Sequence, residues 1–128
     1  MTKKIESKGE RAMETWLMYL RTPYETQYHF ARHMIGNPKK GIREALRKIG
    51  LKDWRFDFAL PEPRIAIEVE GGVFVNGGHN RGAYYTDNCH KYNTATLAGW
   101  RVFRFTTEMV TNGNAFHIIK AAIHEFVK

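Results

Sequence analysis

The sequence predicts an α/β domain in which a small mixed β-sheet is flanked by helices. Residues 54–60 and 64–70 alternate apolar with polar side chains on either side of the turn-forming residues 61–63, which is typical of a β-hairpin. A helical segment and a third strand-like segment, residues 100–105, follow the hairpin. Because a strand, a helix and a strand in this order make a crossover, the third strand is expected to lie parallel to a strand of the hairpin.

The elements before the hairpin are a long helix, a short strand and a shorter helix. The first helix is predicted for residues 7–21, where Ser7 and Glu10 have the spacing of a capping box and apolar side chains recur at helical intervals. A short strand is expected near residues 25–30, within a segment punctuated by proline and glycine. The second helix is predicted for residues 41–49.

The hairpin carries the side chains that point most directly to chemistry. Side chains of a strand point alternately to the two faces of a sheet. Phe56 and Phe58 are therefore predicted on one face of the first strand and Asp57 on the other. By the same alternation, the second strand buries its isoleucine and valine side chains and places Glu68 and Glu70 on the face of Asp57.

Three carboxylates on one face need a positive partner. Two carboxylates about 4 Å apart repel by roughly 4 kcal/mol at an effective dielectric constant of about 20. Mg²⁺ prefers oxygen ligands and typically takes one or two carboxylates together with water and substrate phosphate. The acidic face therefore predicts a magnesium site at which Mn²⁺ is expected to substitute. The alternative is a solvated polar face of the hairpin.

The elements after the hairpin complete the predicted domain. A glycine-rich loop covers residues 71–82, and a helix is predicted for residues 84–98 with Gly99 as its C-terminal cap. The strand at residues 100–105 follows. The chain ends in an amphipathic helix for which Asn114 is the predicted N-cap.

Composition indicates the class of partner. The chain of 128 residues is expected to form one domain, residues 1–128, and its net charge of +7 favours a polyanion, nucleic acid first. The densest basic stretch could contact phosphate directly or could be an ordinary solvated helix face. Two further residues, in the loop after the acids, could approach a phosphate. The candidate DNA-binding residues are Lys39, Lys40, Arg43, Arg47, Lys48, His79 and Arg81.

The sequence also limits the compartment. The single cysteine, Cys89, excludes an internal disulfide and fits a reducing environment. No segment is apolar enough for a membrane span, and the polar start of the chain lacks the apolar region of a signal peptide. A cytoplasmic location without a membrane partner is therefore expected.

Several segments together resemble the PD-(D/E)XK nuclease superfamily, in the branch near the very-short-patch-repair endonucleases. The segments are residues 55–59, 67–72, Asp87 with 91–93, and 99–106. In this superfamily an Asp and an acid-X-Lys triplet on a hairpin bind Mg²⁺. Here Asp57 and the segment 68–70 occupy those positions. The resemblance extends to Holliday junction resolvases, and small nucleases of this kind are frequent in bacteriophages and mobile elements.

The resemblance implies a restriction-endonuclease-like core and a Mg²⁺-dependent endonuclease. Its substrate would be duplex or branched DNA, in a bacterial or phage-infected cell. The implied metal ligands are Asp57, Glu68 and Glu70, joined by an acid of the first helix, Glu10 or Glu14. Glu14 is the preferred candidate because Glu10 already has a capping role. Cutting both strands of a symmetric junction would call for a homodimer.

One position departs from the superfamily pattern, since Glu70 stands where the triplet lysine is usual. A carboxylate there could bind metal or act as a base through water. Lys91 could replace the lysine from the following helix, or it could form a surface ion pair with Asp87, four residues before it. A non-catalytic DNA-binding module is the second functional hypothesis. A zinc-type nuclease that uses histidines is a third.

Overall fold

The protein forms a four-stranded mixed sheet with helices on both faces. The computed structural model describes residues 7–71 and 81–127, without the side chain of Arg81. The strands lie in the sheet in chain order, with β1 to β3 antiparallel and β4 parallel to β3. The predicted α/β class, the hairpin and the parallel third strand are confirmed. The strands are β1 (Glu25–Tyr28), β2 (Phe56–Leu60), β3 (Ile65–Glu70) and β4 (Arg101–Thr106).

Six helices in the described part of the chain cover the sheet, and each face has its own hydrophobic cluster. One cluster packs helices α1, α5 and α6 against the sheet, and the other packs α2, α3 and α4. No helix in the described ranges is long and apolar enough to cross a membrane. The helices are α1 (Lys8–Leu20), α2 (Phe30–Met34), α3 (Ile42–Lys48), α4 (Arg81–Leu97), α5 (Thr107–Thr111) and α6 (Asn114–Phe126).

The start of α1 lies against the end of β3. The predicted capping box is present, because the Ser7 hydroxyl accepts from the Glu10 amide at 3.1 Å and the Glu10 carboxylate accepts from the Ser7 amide at 3.3 Å. A methyl group on Gly9 would lie only 2.7 Å from Val69 Cγ1 and 2.8 Å from Thr107 Oγ1. This close approach brings Glu10 to the end of the sheet at which β3 terminates.

Strand β2 changes faces at Asp57, and one prediction is wrong there. Phe58 packs in the cluster of α1, whereas Phe56 packs in the opposite cluster, with its ring 4.2 Å from that of Phe30. The regular pairing of β2 with β3 runs from Leu60 to Phe58. At Asp57 the amide bonds a side chain of β3 instead of its backbone. Strict alternation predicts one face for both phenylalanines, and it is interrupted where the hydrogen-bond partner of β2 changes.

Two helix boundaries differ from prediction and one is confirmed. Helix α4 starts at Arg81, earlier than expected, and closes as predicted at Gly99, whose φ is 88°. Helix α6 has Gly113 as its N-cap instead of Asn114. The reason is local, because the Asn112 side chain accepts from the Asn114 amide at 2.9 Å and Gly113 adopts the left-handed turn.

The contact between α1 and β3 gives a stability test. Gly9→Ala is expected to lower the free energy of unfolding by about 1–3 kcal/mol, because its methyl group must displace Val69 and Thr107. Urea unfolding measures this change. Gly82→Ala is the matched control, since Gly82 is also helical but has nothing within 4 Å of an added Cβ. The control is expected to be neutral or stabilising by up to about 1 kcal/mol. A neutral Gly9→Ala would contradict the close packing.

Candidate active site

Two carboxylates bond backbone amides across the hairpin, beyond its last regular pair, Phe58 with Ile67. The Asp57 amide donates to Glu68 Oε2 at 2.9 Å, and the Val69 amide donates to Asp57 Oδ2 at 2.8 Å. Each side chain therefore holds the backbone of the opposite strand. This exchange fixes both carboxylates next to each other at the point where β2 and β3 separate.

Glu68 is the most enclosed acid of the site. Its side chain is 10% exposed, and its Oε1 accepts from Lys91 Nζ at 2.5 Å and from the Tyr92 hydroxyl at 2.9 Å. Both partners come from α4. Burial and the Glu68 carboxylate raise the pKa of Tyr92, so that its phenol stays a hydrogen-bond donor. Lys91 supplies the positive charge that a buried carboxylate requires.

The negative charge of Asp57 is less compensated by neighbouring groups than that of Glu68. Burial first, and then repulsion from Glu68, raise the pKa of Asp57 from 3.8 to about 6, although the Val69 amide opposes the shift. Glu10 adds to this repulsion. Asp57 Oδ1 has no hydrogen-bond partner within residues 7–71 and 81–127.

Glu70 stands apart from the acidic pair. Its Oε2 accepts from Arg104 Nε at 2.8 Å, so it has a counter-charge of its own on β4. Across the described ranges, no three Asp, Glu, His or Cys side chains come together in a way that could hold a metal ion. The expected convergence of Asp57, Glu68 and Glu70 is therefore not observed, because β4 provides an arginine to the third acid.

Of the two candidate acids of the first helix, Glu10 and not Glu14 has a charge that acts on the acidic pair. Glu14 accepts from the Tyr24 hydroxyl at 2.8 Å and does not join the acidic pair. Glu10, one turn earlier, is the acid whose charge reaches Asp57. A capping role and a role near the site are compatible here, because the cap itself lies at the end of β3.

Lys91 does not form the surface ion pair that was its alternative interpretation. Asp87 instead accepts from Lys52 at 2.9 Å, and Lys91 turns inward with its side chain 12% exposed. Of the residues missed by sequence reasoning, Tyr92 and Arg104 contact the acids directly. Tyr92 is adjacent to Lys91 in a predicted helix, which was a usable signal. Arg104 could be found only with the register of β4.

The candidate DNA-binding residues form an exposed surface where the structure describes them. Residues 39–48 include α3, which packs on the same side of the sheet as α4. Lys39, Lys40, Arg43, Arg47 and Lys48 are all exposed. His79 lies outside the described residues, as does the side chain of Arg81.

The acidic pair fits a divalent cation by its donor chemistry. Asp57 and Glu68 bring two carboxylates together, which is the number that Mg²⁺ typically takes from a protein. Burial first, and then the neighbouring charge of Glu68, raise the pKa of Asp57, and a bound cation would counter both effects. Asp57 Oδ1 is the oxygen that can accept a new partner without breaking a hydrogen bond.

Comparisons with known proteins give one informative match. No protein-family model matches the chain, and no curated protein matches it. Among solved structures, the catalytic domain of the homing endonuclease I-Bth0305I is similar, with a TM-score of 0.63. The two chains share a fold. The similarity covers 96% of this chain and 100% of that domain at 15% sequence identity. Membership of the PD-(D/E)XK superfamily stays a prediction.

The raised pKa of Asp57 gives a test in metal-free buffer. The folded state binds a proton at Asp57 more tightly than the unfolded state does, so wild-type stability should fall as pH rises from about 4 to about 6. Asp57→Asn removes this loss and keeps an oxygen for the Val69 amide. The variant is expected to gain up to about 3 kcal/mol over wild type by pH 7. Urea unfolding with EDTA measures the difference.

The control for this titration, Asp53→Asn, should change the free energy of unfolding in the opposite direction. A hydrogen bond from Arg32 lowers the pKa of Asp53, so Asp53→Asn should be less stable than wild type from pH 5 to 7. A pH-independent difference between wild type and Asp57→Asn would contradict the assigned environment of Asp57.

Proposed function

We propose that this protein is a divalent-metal-dependent endonuclease that hydrolyses phosphodiester bonds of DNA. The observation that carries the proposal is the Asp57–Glu68 pair, in which two carboxylates interrupt a β-hairpin and receive Lys91 at 2.5 Å from a third element. A fold needs no such arrangement for stability, because two adjacent carboxylates repel. The fold shared with a homing endonuclease catalytic domain supports the same conclusion.

Each residue of the pair has a distinct task. Asp57 and Glu68 would hold a divalent cation, which when bound supplies Lewis-acid polarisation of the phosphoryl oxygen and a more acidic water. Asp57 offers its Oδ1, which has no hydrogen-bond partner in the described ranges, and Glu68 is held in one orientation by the Asp57 amide, Tyr92 and Lys91. Held in this way, the two carboxylates need little rearrangement to act together.

Lys91 takes the place of the lysine that the triplet lacks. Its ammonium group touches Glu68 and is almost enclosed, so it is a fixed positive charge at the acidic pair. A fixed ammonium can orient a nucleophilic water and stabilise the negative charge that develops on phosphate during displacement. Glu70 is then not needed as a substitute for the missing lysine.

Exposed cations would hold the DNA backbone. The surface around α3 carries five described lysine and arginine side chains on the side of the sheet that also carries α4. Phosphate contacts of this kind bind DNA irrespective of sequence. The net charge of +7 adds long-range attraction.

The second candidate is a non-catalytic DNA-binding module. The observation that favours it is that, within the described ranges, no third acid lies close enough to the pair to hold a metal ion with it, together with the Glu at position 70. This candidate keeps the basic surface and predicts binding without cleavage.

Cleavage assays separate the two candidates. Supercoiled plasmid, linear duplex, a flap and a four-way junction are incubated in parallel with Mg²⁺, with Mn²⁺ and with EDTA. Cutting is expected with either metal and not with EDTA. Asp57→Asn and Glu68→Gln are expected to lower the rate at least about 100-fold, because each removes a carboxylate that holds the cation. The preferred DNA shape and the number of strands cut are read from the same gels.

The matched control for this assay is Glu62→Gln. Glu62 lies in the exposed turn of the same hairpin, and its replacement should leave the cutting rate within about twofold. Binding of all four DNAs by folded wild-type protein, without cutting in either metal, would contradict the enzyme and establish the binding module.

The salt dependence of DNA binding tests the basic surface. Arg43→Gln is expected to lower the slope of log affinity against log salt concentration by about 0.9, because one phosphate contact is lost. Fluorescence anisotropy with a labelled duplex measures it. Lys120→Gln, an equally exposed change on α6, should leave the slope unchanged because α6 covers the opposite face of the sheet. Equal effects of both variants would show that α3 is not the DNA-binding surface.

A further inference from the structure

Arg104 lies beside the acidic pair because of the register of the parallel strands. In the pairing of β3 with β4, Arg104 is the direct partner of Glu68. Partners in a parallel register point to the same face of a sheet, so the arginine shares the face from which Lys91 and Tyr92 reach Glu68. A second cation, besides Lys91, therefore lies next to the acids, on the strand that pairs with β3 of the hairpin.

Two contacts hold the guanidinium group in place. Its Nε donates to Glu70 Oε2 at 2.8 Å, and its central carbon lies 4.7 Å from the centroid of the Tyr92 ring. The hydroxyl of that tyrosine bonds Glu68. Arg104 is thus linked to the acidic pair through a ring that cannot move without disturbing Glu68.

The outer side of Arg104 is left for a ligand. Its side chain is 50% exposed, and within residues 7–71 and 81–127 only Nε has a hydrogen-bond partner. The two terminal amino groups of the guanidinium fork are therefore available. Such a fork matches the oxygens of a phosphate in a bidentate manner and loses little freedom when it is already held.

We propose that Arg104 binds the DNA phosphate that enters the acidic pair, and that Glu70 is a positioning residue for Arg104 instead of a metal ligand. This inference rests on the proposed nuclease function. It explains why an acid replaces the triplet lysine: Glu70 orients an arginine of β4, while Lys91 serves Glu68. An exposed pair of this kind contributes little to stability, so a functional role accounts better for its fixed geometry.

Metal binding tests the role of Glu70. Glu70→Gln is titrated with Mn²⁺ by isothermal calorimetry beside wild type and Glu68→Gln. The expected affinity of Glu70→Gln is within about twofold of wild type, whereas Glu68→Gln should lose about tenfold or more. An equal loss in both variants would establish Glu70 as a ligand and overturn the proposal.

DNA binding tests the role of Arg104. Arg104→Gln is expected to weaken binding of a labelled duplex about tenfold and to lower the salt slope by about 0.9, because a charge-assisted phosphate contact is lost. Arg104→Lys should recover part of the affinity and little of the cutting rate, since an ammonium lacks the fork. Thermal unfolding confirms that each variant is folded.

The matched control is Arg101→Gln on the same strand. Arg101 is also exposed, but its guanidinium lies 3.9 Å from the Phe126 ring and bonds the Pro63 carbonyl, away from the acids. The Arg101→Gln change should alter neither the affinity for DNA nor the salt slope. Equal effects of Arg101→Gln and Arg104→Gln would overturn the proposal.

A double-mutant cycle shows whether Glu70 acts through Arg104. Glu70→Ala is expected to lower kcat/KM in the wild-type background and to have no further effect when Arg104 is already Gln. Independent, additive losses would overturn the positioning role. If wild type does not cut DNA, the nuclease proposal fails by itself, and the metal and DNA titrations still decide the roles of Glu70 and Arg104.

Discussion

The exchange of two carboxylates across the hairpin is the interaction on which the site depends. The Asp57 and Glu68 carboxylates each accept from a backbone amide of the opposite strand, beyond the last regular pair of β2 and β3. Both amides thus have a partner, yet the arrangement places two negative charges in a half-buried position. The surrounding structure then supplies what the pair lacks. Lys91 and Tyr92 turn inward from α4. The close packing of α1 against β3 brings a further acid, Glu10, to the end of the sheet.

The two carboxylates of this exchange differ in how far the protein satisfies them. Glu68 is satisfied by protein donors, whereas Asp57 carries repulsion that the protein leaves in place. Natural active sites often retain such local conflict, since a group that is fully satisfied by the protein has nothing to offer a substrate or cation. Glu70 at the end of β3 and Arg104 of β4 balance each other. A basic chain thus contains a small acidic centre in which Glu68 and Glu70 each bond a cation, whereas Asp57 bonds none in the described part of the chain.

Local patterns in the sequence predicted much of the fold. They failed where contacts between distant segments determine the structure. Alternation predicted the hairpin and its acids, and the capping box and Gly99 marked helix ends, because these features depend on neighbours in the chain. The face of Phe56 could not be predicted, since the regular pairing of β2 with β3 ends at Phe58 and the next amide of β2 bonds a side chain of β3. The partner of Lys91 was open for the same reason: helical spacing permits Asp87, and only packing selects Glu68.

The central claim is that Asp57 and Glu68 form a metal site, and crystallography with Mn²⁺ tests it most directly. Crystals soaked in Mn²⁺ and measured at an anomalous wavelength should show a peak at about 2.0–2.6 Å from Asp57 Oδ1 and from a Glu68 carboxylate oxygen. Glu70 should remain paired with Arg104 in the same map. A peak that bridges Glu70 to the acids, or no peak between Asp57 and Glu68 at saturating Mn²⁺, would contradict the account.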